Sequence, residues 1–415
     1  MAEPIEAGHL LRDDDLRVVD GLGPVEILVG VCGLNQARTV VQVVEAAAGG
    51  LAGPLADRKA GIVVVEAGFA HETLDAVGGW LAGRAPRPPV CCIRIAGPPG
   101  RSRAILGALA VVQRLDPAAC ALVDAGLVSL TSAGLGRLVQ PVLDGQADCV
   151  GPAYTHAASE GTLTTNLLAP MCGALYGRRI QQLLGGCAGL SGRVATRLLG
   201  TAAGGSDLTG HGLEIRLALD AIVSGSRIVE VHLGRKTLDP GLAPPDLATT
   251  IAHTVGPFFR LMDRYRAFWS EGGASAPVPL IGDPPAILPE TGEIHLDRMV
   301  RAFKLGLKDL LPVWEQALRD ETLALLYPLG LLSADEFVFP AAHWARTAFD
   351  FAVADHEQRL PRDHLLRALT PLYLGRVAAF LREAQAGTPA RIPAILADVG
   401  MAFEAEKAGL AARWR

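Results

Sequence analysis

The sequence predicts an α/β protein with a mostly parallel sheet, flanking helices and a helical region at the carboxyl end. From residue 25 to about 155, short apolar runs alternate with segments of helical periodicity. These runs are apolar at nearly every position, as is typical of strands buried on both faces of a parallel sheet. Beyond residue 290, apolar residues recur at helical spacing to the end of the chain, which indicates a small helical bundle.

Length, composition and charge indicate how many domains to expect and exclude a nucleic-acid-binding protein. The chain has 415 residues, of which 50% are apolar and 20% are charged, and its formal net charge is −5. A chain of this length usually forms more than one core, so we expect two domains. The negative charge offers no basic field for nucleic acid, which we therefore exclude as a partner.

Cysteine usage and hydropathy predict a cytoplasmic protein. The seven cysteines form no C-x-x-C pair, and most lie inside apolar runs, as expected for buried reduced thiols. The acidic amino-terminal segment does not resemble a signal or transit peptide. No uninterrupted apolar run reaches the roughly 20 residues needed to cross a bilayer, so we expect no membrane span.

Four strand and helix units make up the first part of the chain. The predicted strands are residues 25–31, 61–66, 90–96 and 119–125. A segment of helical periodicity follows each of them, opening near residues 35, 71 and 101 after the first three strands. Ligands of such sheets bind beyond the carboxyl ends of the strands. The residues that follow each strand are therefore the first candidates for a binding site.

The rest of the chain is less regular and divides at a Pro- and Gly-rich segment. The patterns predict helices at 164–180 and 211–225, a strand at 227–233, and an amphipathic helix at about 247–269. Ser333 and Glu336 match a capping box and predict a later helix start. We predict four regions: an amino-terminal extension (1–24), a sheet domain (25–270), a linker (271–290) and a helical domain (291–415).

A phosphate site is one interpretation of the segment after the third strand. Gly100 and Arg101 stand at a predicted helix start, where backbone N–H groups and the helix dipole favour an anion. The alternative is a turn with a solvated basic first turn. The segment is not a P-loop, because the Lys-Ser/Thr ending is absent.

Asp124 ends the central predicted strand. In many enzymes that use nucleotide sugars such a strand ends in Asp-x-Asp, whose carboxylates bind a divalent metal, but here Gly126 takes the third position. A strand-terminal Asp also caps turns. Its carboxylate therefore has either a functional or a structural role.

Two cations follow the strand at 227–233. Arg235 and Lys236 precede Asp239, and cations there would neutralise a diphosphate leaving group; a hydrated loop is the alternative. Among ten histidines none shows a metal-ligand spacing such as H-E-x-x-H. His156 is the one we single out, with a structural hydrogen bond as its alternative role.

Several ordered segments resemble the glycosyltransferases of the GT-A fold, in particular the group that includes mannosylglycerate and glucosylglycerate synthases. The matching segments include VGVCGLNQARTVVQVV, PPGRSRAILGA, ALVDAGL, THAASEGTLTTNLLAPMCGALYGRRIQQLLGG, LGRKTLDP, LTPLYLGRVAAFLRE and FEAEKAGLAARW. The resemblance runs from about residue 25 to the carboxyl end. It implies a nucleotide-sugar-binding α/β domain with a helical tail, which agrees with the pattern of apolar residues.

The resemblance also implies roles for individual residues. Those expected to bind the nucleotide sugar are Val31, Cys32, Asn35, Glu66, Gly100, Arg101, Asp124 and Ala125. Those expected in the sugar and acceptor region are Tyr154, His156, Thr165, Asn166, Gly185, Gly186 and Glu214. Candidate catalytic residues are Arg101, Arg235, Lys236 and Asp239.

The departures from the family pattern cluster at the metal. Gly126 replaces the second Asp of Asp-x-Asp, Leu238 replaces a His, and Glu214 keeps a carboxylate where the family has Asp. We expect no firm cofactor, with Asp124 the remaining ligand for Mg²⁺ or Mn²⁺. Lewis-acid stabilisation of a leaving group is worth several kcal/mol, so activity would need fixed cations such as Arg101 and Lys236 instead.

Three functions stay open at this point. The first is a bacterial hexosyltransferase, retaining if it follows the family, that uses a nucleoside diphosphate sugar and a small hydroxy acid such as glycerate. The second is an inactive descendant with a binding, scaffold or regulatory role, and the third is an unrelated α/β protein. Convergence of Arg101 and Lys236 on Asp124 would favour the first. The amphipathic helices suit either a homodimer face or packing on their own core.

Overall fold

The computed structural model describes residues 10–68, 71–202, 210–239, 241, 246–290 and 292–414. It divides into two compact units. The first unit consists of Met1–Thr155, Leu184–Pro244 and Val278–Pro285. The second consists of His156–Leu183, Pro245–Pro277 and Ala286–Arg415. Within the predicted amino-terminal extension, residues 1–9 lie outside the described part of the chain, as does Pro240 after Asp239.

The strands are numbered along the chain as follows: β1 (Ile27–Gly33), β2 (Ala60–Glu66), β3 (Val90–Arg94), β4 (Ala119–Asp124), β5 (Cys149–Ala157), β6 (Arg178–Arg179), β7 (Cys187–Ser191), β8 (Ile228–Arg235), β9 (Ala276–Pro277), β10 (Leu280–Ile281) and β11 (Ile287–Leu288).

The α-helices are numbered in the same way: α1 (Asp13–Asp20), α2 (Val40–Ala52), α3 (Glu72–Leu81), α4 (Arg101–Leu115), α5 (Ser132–Leu143), α6 (Ala169–Tyr176), α7 (Gly192–Thr201), α8 (Gly212–Val223), α9 (Leu247–Arg264), α10 (Arg266–Glu271), α11 (Leu296–Asp309), α12 (Leu311–Ala317), α13 (Asp320–Ala324), α14 (Tyr327–Leu331), α15 (Ala341–His356), α16 (Arg362–Gln385) and α17 (Ile392–Arg413). A π-helical turn at Thr164–Leu168 precedes α6, and a 3₁₀ turn at Pro389–Arg391 precedes α17.

The first unit is built on a mostly parallel sheet, which confirms the predicted fold class. Its strand order is β10-β8-β5-β7-β4-β1-β2-β3, and only β7 runs antiparallel to its neighbours β4 and β5. Successive residues of one strand enter different cores: Val63 and Val65 pack in one hydrophobic cluster, and Ile62 and Val64 pack in the other. Burial on both faces explains why these strands are apolar at every position.

Strand register brings three candidate residues to one edge of this sheet. Cys32 of β1 is aligned with Asp124 of β4, and Gly33 is aligned with Glu66 of β2. The carboxyl ends of β1, β2 and β4 therefore lie side by side. This is the edge at which parallel α/β sheets bind their ligands.

The second unit is helical and has an aromatic core, as predicted for the carboxyl-terminal region. Trp344 is fully buried, contacts Phe339 edge to face with ring centroids 6.0 Å apart, and lies 6.4 Å from the ring of Tyr373. Its indole Nε1 donates a hydrogen bond of 2.7 Å to the carbonyl of Asn166. The ring contact with Tyr373 joins α15 to α16, and the hydrogen bond joins α15 to the π-helical turn.

Two local predictions differ from the structure. The predicted linker 271–290 carries the short strands β9, β10 and β11, which pair with β6, β8 and β5 respectively. Composition cannot indicate such pairing, because it depends on residues distant in sequence. The hydroxyl of Ser333 does donate to Glu336 at 2.8 Å, but the pair closes a turn, and the next helix begins at Ala341.

The cysteines of the chain are reduced and mostly buried. All seven cysteines are free thiols; Cys92 is half-buried and the others are buried. Burial raises the pKa of Cys187 to about 11.

Within the described residues, no helix is both long and apolar enough to span a bilayer.

Asp148, the residue before β5, is hydrogen-bonded to Arg227, the residue before β8. It accepts hydrogen bonds from the guanidinium and backbone N–H of Arg227 at 3.0 to 3.2 Å and from Arg193 at 3.1 Å. The bonds from Arg227, opposed by burial, lower the Asp148 pKa to about 2 from 3.8. Its contribution to stability is therefore present above pH 3.8 and is lost as the pH falls towards 2.

We expect Asp148→Asn to lower the free energy of unfolding by about 1 kcal/mol at neutral pH, because both arginines are largely exposed. The difference from the unsubstituted protein should shrink as the pH falls from about 4 to about 2. Urea unfolding at several pH values measures this. Asp144→Asn is the matched control, since Asp144 is exposed and accepts a hydrogen bond from Gln140. A difference that stays constant with pH would contradict the assignment.

Candidate functional site

Arg101 lies at the centre of a charged cluster in the first unit. It is the first residue of α4, and its guanidinium turns towards the carboxyl edge of the sheet. Nη1 makes an ion pair with Asp124 of β4. Nε and Nη2 donate to the two oxygens of Glu214 on α8 at 3.0 and 3.2 Å. One arginine thus bridges two carboxylates that are 90 residues apart in sequence.

The Asp124 carboxylate is buried and fully engaged. Its side chain is 3% exposed. Oδ2 accepts from Arg101, and Oδ1 accepts from the backbone N–H of Gly126 at 2.6 Å and from Nε2 of Gln36 at 3.0 Å. The contact with the Gly126 N–H is the turn-capping bond that a strand-terminal Asp can make. Asp124 therefore combines the structural role with an ion pair at the candidate site.

Glu214 stays ionised because its cations outweigh its burial. Burial raises the Glu214 pKa, but the charge of Arg101 and a hydrogen bond with His211 lower it by more than burial raises it. The pKa therefore lies well below its ordinary value. The His211 contact joins Nδ1 to Oε2 at 2.6 Å. Burial also lowers the Arg101 pKa, but Glu214 and Asp124 more than offset that effect. Glu214 and Arg101 are therefore both charged at neutral pH.

Lys236 supplies a second cation near the same carboxylates. Its Nζ donates to the Leu184 carbonyl at 2.7 Å and lies 5.9 Å from the centroid of the Tyr154 ring. Burial lowers the Lys236 pKa; Glu214 and Asp124 raise it, and Arg101 lowers it. Lys236 is therefore within electrostatic range of all three charged groups.

The Tyr154 hydroxyl packs against the glycine pair. It donates to the Gly185 carbonyl at 2.8 Å and lies 3.5 Å from the sulfur of Cys187. Gly185 must lack a side chain, because a Cβ there would lie 2.2 Å from the Pro152 ring. Gly186 has a positive φ of 77° and leaves room beside Lys236. These contacts fix the loop whose carbonyls receive Lys236 and Tyr154.

Glu66, at the end of β2, has one buried oxygen without a partner. Oε1 accepts from the backbone N–H groups of Gly68 at 2.5 Å and Asn35 at 3.2 Å, whereas Oε2 is buried and unpaired. Asn35 adopts a left-handed conformation with φ 59°. A Cβ at Gly33 would lie 2.9 Å from Oε2. Buried acceptors in proteins ordinarily have a donor, so this oxygen is an exception at the carboxyl edge of the sheet.

Other residues expected to bind the nucleotide sugar have mainly core or backbone contacts. Val31 is fully buried in a hydrophobic cluster, and burial raises the pKa of the Cys32 thiol. Ala125 is buried and accepts the Thr39 hydroxyl at 2.8 Å through its carbonyl. The N–H of Gly100 donates to the Ala67 carbonyl at 3.2 Å.

The candidates after β8 differ in burial. Arg235 is exposed, and Leu238 is 47% exposed. Asp239 is buried, and its Oδ1 accepts from the N–H of Gly241 at 2.8 Å. Among the four predicted catalytic residues, Arg101 pairs with Asp124 and Glu214, and Lys236 lies within electrostatic range of both.

Three residues of the predicted acceptor region belong to the second unit. His156 Nδ1 lies 2.9 Å from the Ala157 carbonyl, which is a local structural contact. Asn166 is fully buried; its Nδ2 donates to the Thr165 hydroxyl at 3.3 Å, and its Oδ1 has no partner. Tyr154, Gly185, Gly186 and Glu214 belong to the first unit.

The cluster does not fit a divalent metal. Each oxygen of Asp124 and Glu214 already accepts a hydrogen bond, and Arg101 lies between the two carboxylates. A side chain at Gly126 would collide with Gln36, whose Nε2 would lie 2.8 Å from its Cβ. Within the described part of the chain, no three His, Cys, Asp or Glu side chains are close enough to hold a metal ion.

Sequence reasoning missed Gln36 and His211. Gln36 holds Asp124, and His211 holds Glu214. Gln36 directly follows the predicted candidate Asn35, so a wider window would have included it. His211 is three residues before Glu214, a spacing at which side chains on a helix can contact each other. The sequence does not show that Glu214 is largely buried, which is why its partner matters for the site.

No protein-family model matches this sequence, and the search of curated proteins finds no match. Among solved structures, the chain is similar to glucosyl-3-phosphoglycerate synthase from Mycobacterium tuberculosis in complex with phosphoglyceric acid, at 18% identity and a TM-score of 0.44 over 60% of this chain and 83% of that one. The chain is also similar to the complex of that enzyme with Mn²⁺, UDP-glucose and phosphoglyceric acid. The sequence identity is 19% and the TM-score is 0.41, over 66% of this chain and 94% of that one.

A mannosyl-3-phosphoglycerate synthase from Rubrobacter xylanophilus is similar at 17% identity and a TM-score of 0.40, over 64% of this chain and 82% of that one. These synthases have names close to those of the group that the sequence resembles. At such identities and TM-scores the similarity fixes neither a family nor a substrate for this chain.

Proposed function

We propose that the protein is a hexosyltransferase that uses a nucleoside diphosphate sugar and a small hydroxy-acid acceptor such as glycerate. The observation that carries this proposal is the pairing of Arg101 with both Asp124 and Glu214 at the carboxyl edge of the sheet. Lys236 lies within electrostatic range of the same carboxylates. Two cations in a partly desolvated cluster can stabilise the charge that develops on a departing diphosphate. Transfer would then depend weakly, or not at all, on a divalent metal.

The unpaired oxygen of Glu66 supports a nucleotide site at the same edge. Nucleobases such as uracil and guanine present ring N–H donors, and Oε2 of Glu66 is a buried acceptor that lacks one. Its partner oxygen is fixed by two backbone N–H groups, so the carboxylate is held in one orientation. Pairing with a base would remove the free-energy penalty of the unsatisfied oxygen.

Calorimetric titration tests donor binding directly. The purified protein would be titrated with UDP-glucose, GDP-mannose and GDP-glucose, each with and without Mn²⁺ and Mg²⁺. We expect one donor to bind with an affinity that is unchanged when the metal is removed. Absence of heat with every donor would contradict the proposal, and strictly metal-dependent binding would contradict its metal-independent part.

Glu66→Gln is expected to weaken donor binding about tenfold or more. The amide oxygen can keep the bonds to the Gly68 and Asn35 N–H groups, while the amide NH₂ replaces the free acceptor and faces the donor N–H of the base. Dissociation constants from the same titration measure the effect. Gln42→Glu is a control for a change of charge at an exposed site. Unchanged affinity in the Glu66 variant would place the base elsewhere.

A catalytically inactive protein with a binding, scaffold or regulatory role is the second candidate. It is favoured by the engagement of Arg101 with two carboxylates, which neutralise its charge before any diphosphate arrives. Assay of nucleoside diphosphate release with glycerate or 3-phosphoglycerate as acceptor distinguishes the two. Donor binding without release would favour the second candidate, and NMR of the product would test retention at the anomeric carbon.

The cytoplasmic location and the homodimer stay predictions from the sequence. The seven free cysteines are compatible with a reducing compartment. Light scattering of the purified protein would measure its oligomeric state.

A further inference from the structure

Three arginines form a patch at the amino ends of β5 and β8 in the first unit. Arg193 and Arg197 lie one helical turn apart on α7, and Arg227 directly precedes β8. Arg193 and Arg227 both donate to Oδ1 of Asp148, at 3.1 and 3.2 Å, so their guanidinium groups lie close together. Lys236 follows the carboxyl end of β8, so the patch is at the opposite end of that strand.

The patch carries more positive than negative charge. Asp148 is ionised at neutral pH, because the bonds from Arg227 lower its pKa to about 2, and it balances one of the three guanidinium groups. Within the described residues, Arg197 forms no ion pair with a carboxylate; Nη2 donates instead to the hydroxyls of Ser224 and Ser226, at 2.6 and 2.9 Å. A local excess of positive charge on a chain with a net charge of −5 attracts anions.

An acidic residue near these serines is engaged elsewhere. Asp220 lies one turn before Ser224, and its Oδ2 accepts from the Thr201 hydroxyl at 3.1 Å and from Nε of Arg216 at 3.4 Å. Arg216 is fully buried, so it needs the Asp220 charge as its own counter-ion.

The donors of the patch are accessible from solvent. The side chains of Arg193 and Arg227 are 74% and 58% exposed. Ser224 is exposed, Ser226 is half-buried, and their hydroxyl oxygens are 3.0 Å apart. Guanidinium forks match the oxygens of a phosphoryl group, and hydroxyls add further donors. A small oxyanion can therefore reach several donors at once.

We propose that Arg193, Arg197 and Arg227, with the hydroxyl of Ser226, bind a phosphoryl group, supplied by inorganic phosphate or by a small phosphate monoester. The anion balances the positive charge that Asp148 leaves uncompensated, and its oxygens accept from the guanidinium N–H groups. This site shares no residue with the candidate functional site, so the inference does not rest on the proposed transferase.

Calorimetric titration with inorganic phosphate at constant ionic strength tests this inference. The unsubstituted protein, Arg197→Gln and Arg193→Gln would each be titrated, with glycerol 3-phosphate as the second titrant. We expect each glutamine variant to bind phosphate about tenfold more weakly or worse, because a charge-assisted hydrogen bond is lost. Arg114→Gln is the matched control, since Arg114 is an exposed arginine of the same unit that pairs with Asp20; its phosphate affinity should not change.

Asp148→Asn supplies a test of opposite sign. Removing this carboxylate increases the excess of positive charge, so we expect phosphate to bind a few-fold more tightly even though the protein is less stable. A lower affinity in this variant would contradict the charge argument. Thermal unfolding without phosphate checks that each variant is folded, and Arg193→Gln, at a largely exposed position, serves if Arg197→Gln does not fold.

Equal phosphate affinity in the unsubstituted protein and the folded arginine variants would overturn the inference, as would an absence of binding. Lys236→Met should bind phosphate unchanged; a loss confined to this variant would place the anion at the candidate functional site instead. Tighter binding of glycerol 3-phosphate than of phosphate would identify a monoester as the ligand, and equal binding would show that the phosphoryl group alone is recognised. Because no donor sugar is present, failure here is separate from failure of the donor titration.

Discussion

Replacing Lys236 by methionine is expected to weaken donor binding and transfer by about 100-fold. Methionine keeps most of the aliphatic stem but removes the charge beside Asp124 and Glu214, and loss of one preorganised group that stabilises a leaving group typically costs 10² to 10³ in rate. Calorimetry and kcat/KM measure the loss. Lys407→Met is the matched control, since Lys407 is a half-buried lysine of the second unit whose Nζ also donates to backbone carbonyls.

The pH dependence separates the charge of Lys236 from a packing role. Because its pKa lies below the ordinary 10.5, the ammonium, and with it the affinity for a diphosphate, is present at lower pH and is lost as the pH rises through that lowered pKa. Lys236→Arg should extend binding to higher pH, and the methionine variant should lack the alkaline loss. An unchanged pH profile in both variants would show that the ammonium does not contact the donor.

Replacing Trp344 by alanine is expected to reduce the free energy of unfolding by about 3 to 5 kcal/mol. The indole is fully buried among Phe339, Tyr373 and the π-helical turn, and its removal leaves a cavity and an unpaired Asn166 carbonyl. Urea unfolding followed by tyrosine and tryptophan fluorescence measures the change.

Trp80→Ala provides the comparison for Trp344. Trp80 is half-buried on α3 and donates to Glu45 at an exposed position, so its removal should cost much less. A loss below about 1 kcal/mol at Trp344 would show that this part of the second unit relaxes around the missing ring. Equal losses at the two positions would contradict the aromatic-core assignment.

Hydrophobic patterning alone identified the first four strands and the helices that follow them. Each predicted strand agrees with the structure to within a few residues, because burial on both faces leaves an unbroken apolar run in the sequence. The positions of Glu66 and Asp124 at strand ends followed from the same patterning. The strands β9, β10 and β11 could not be predicted in this way. They lie in a Pro- and Gly-rich segment that resembles a linker, and they form by pairing with strands that are distant in sequence.

The division into units was also decided by tertiary contacts. The first unit takes residues 278–285 from the predicted linker, and the second takes 156–183 from the predicted sheet domain. The domain boundaries drawn from the sequence assumed continuous segments, because composition changes only along the chain. Strand pairing and helix packing select their partners in space.

At the candidate site, the sequence determined which chemical groups were present, and the tertiary structure decided what they do. The sequence showed that Gly126 and Leu238 had replaced expected metal ligands, and that Arg101 and Lys236 were available as cations. It could not show that one guanidinium bridges Asp124 and Glu214 or that Gln36 fills the space beside Gly126. The strength of a charge interaction depends on distance and burial, and both are set by the packing of β4, α4 and α8.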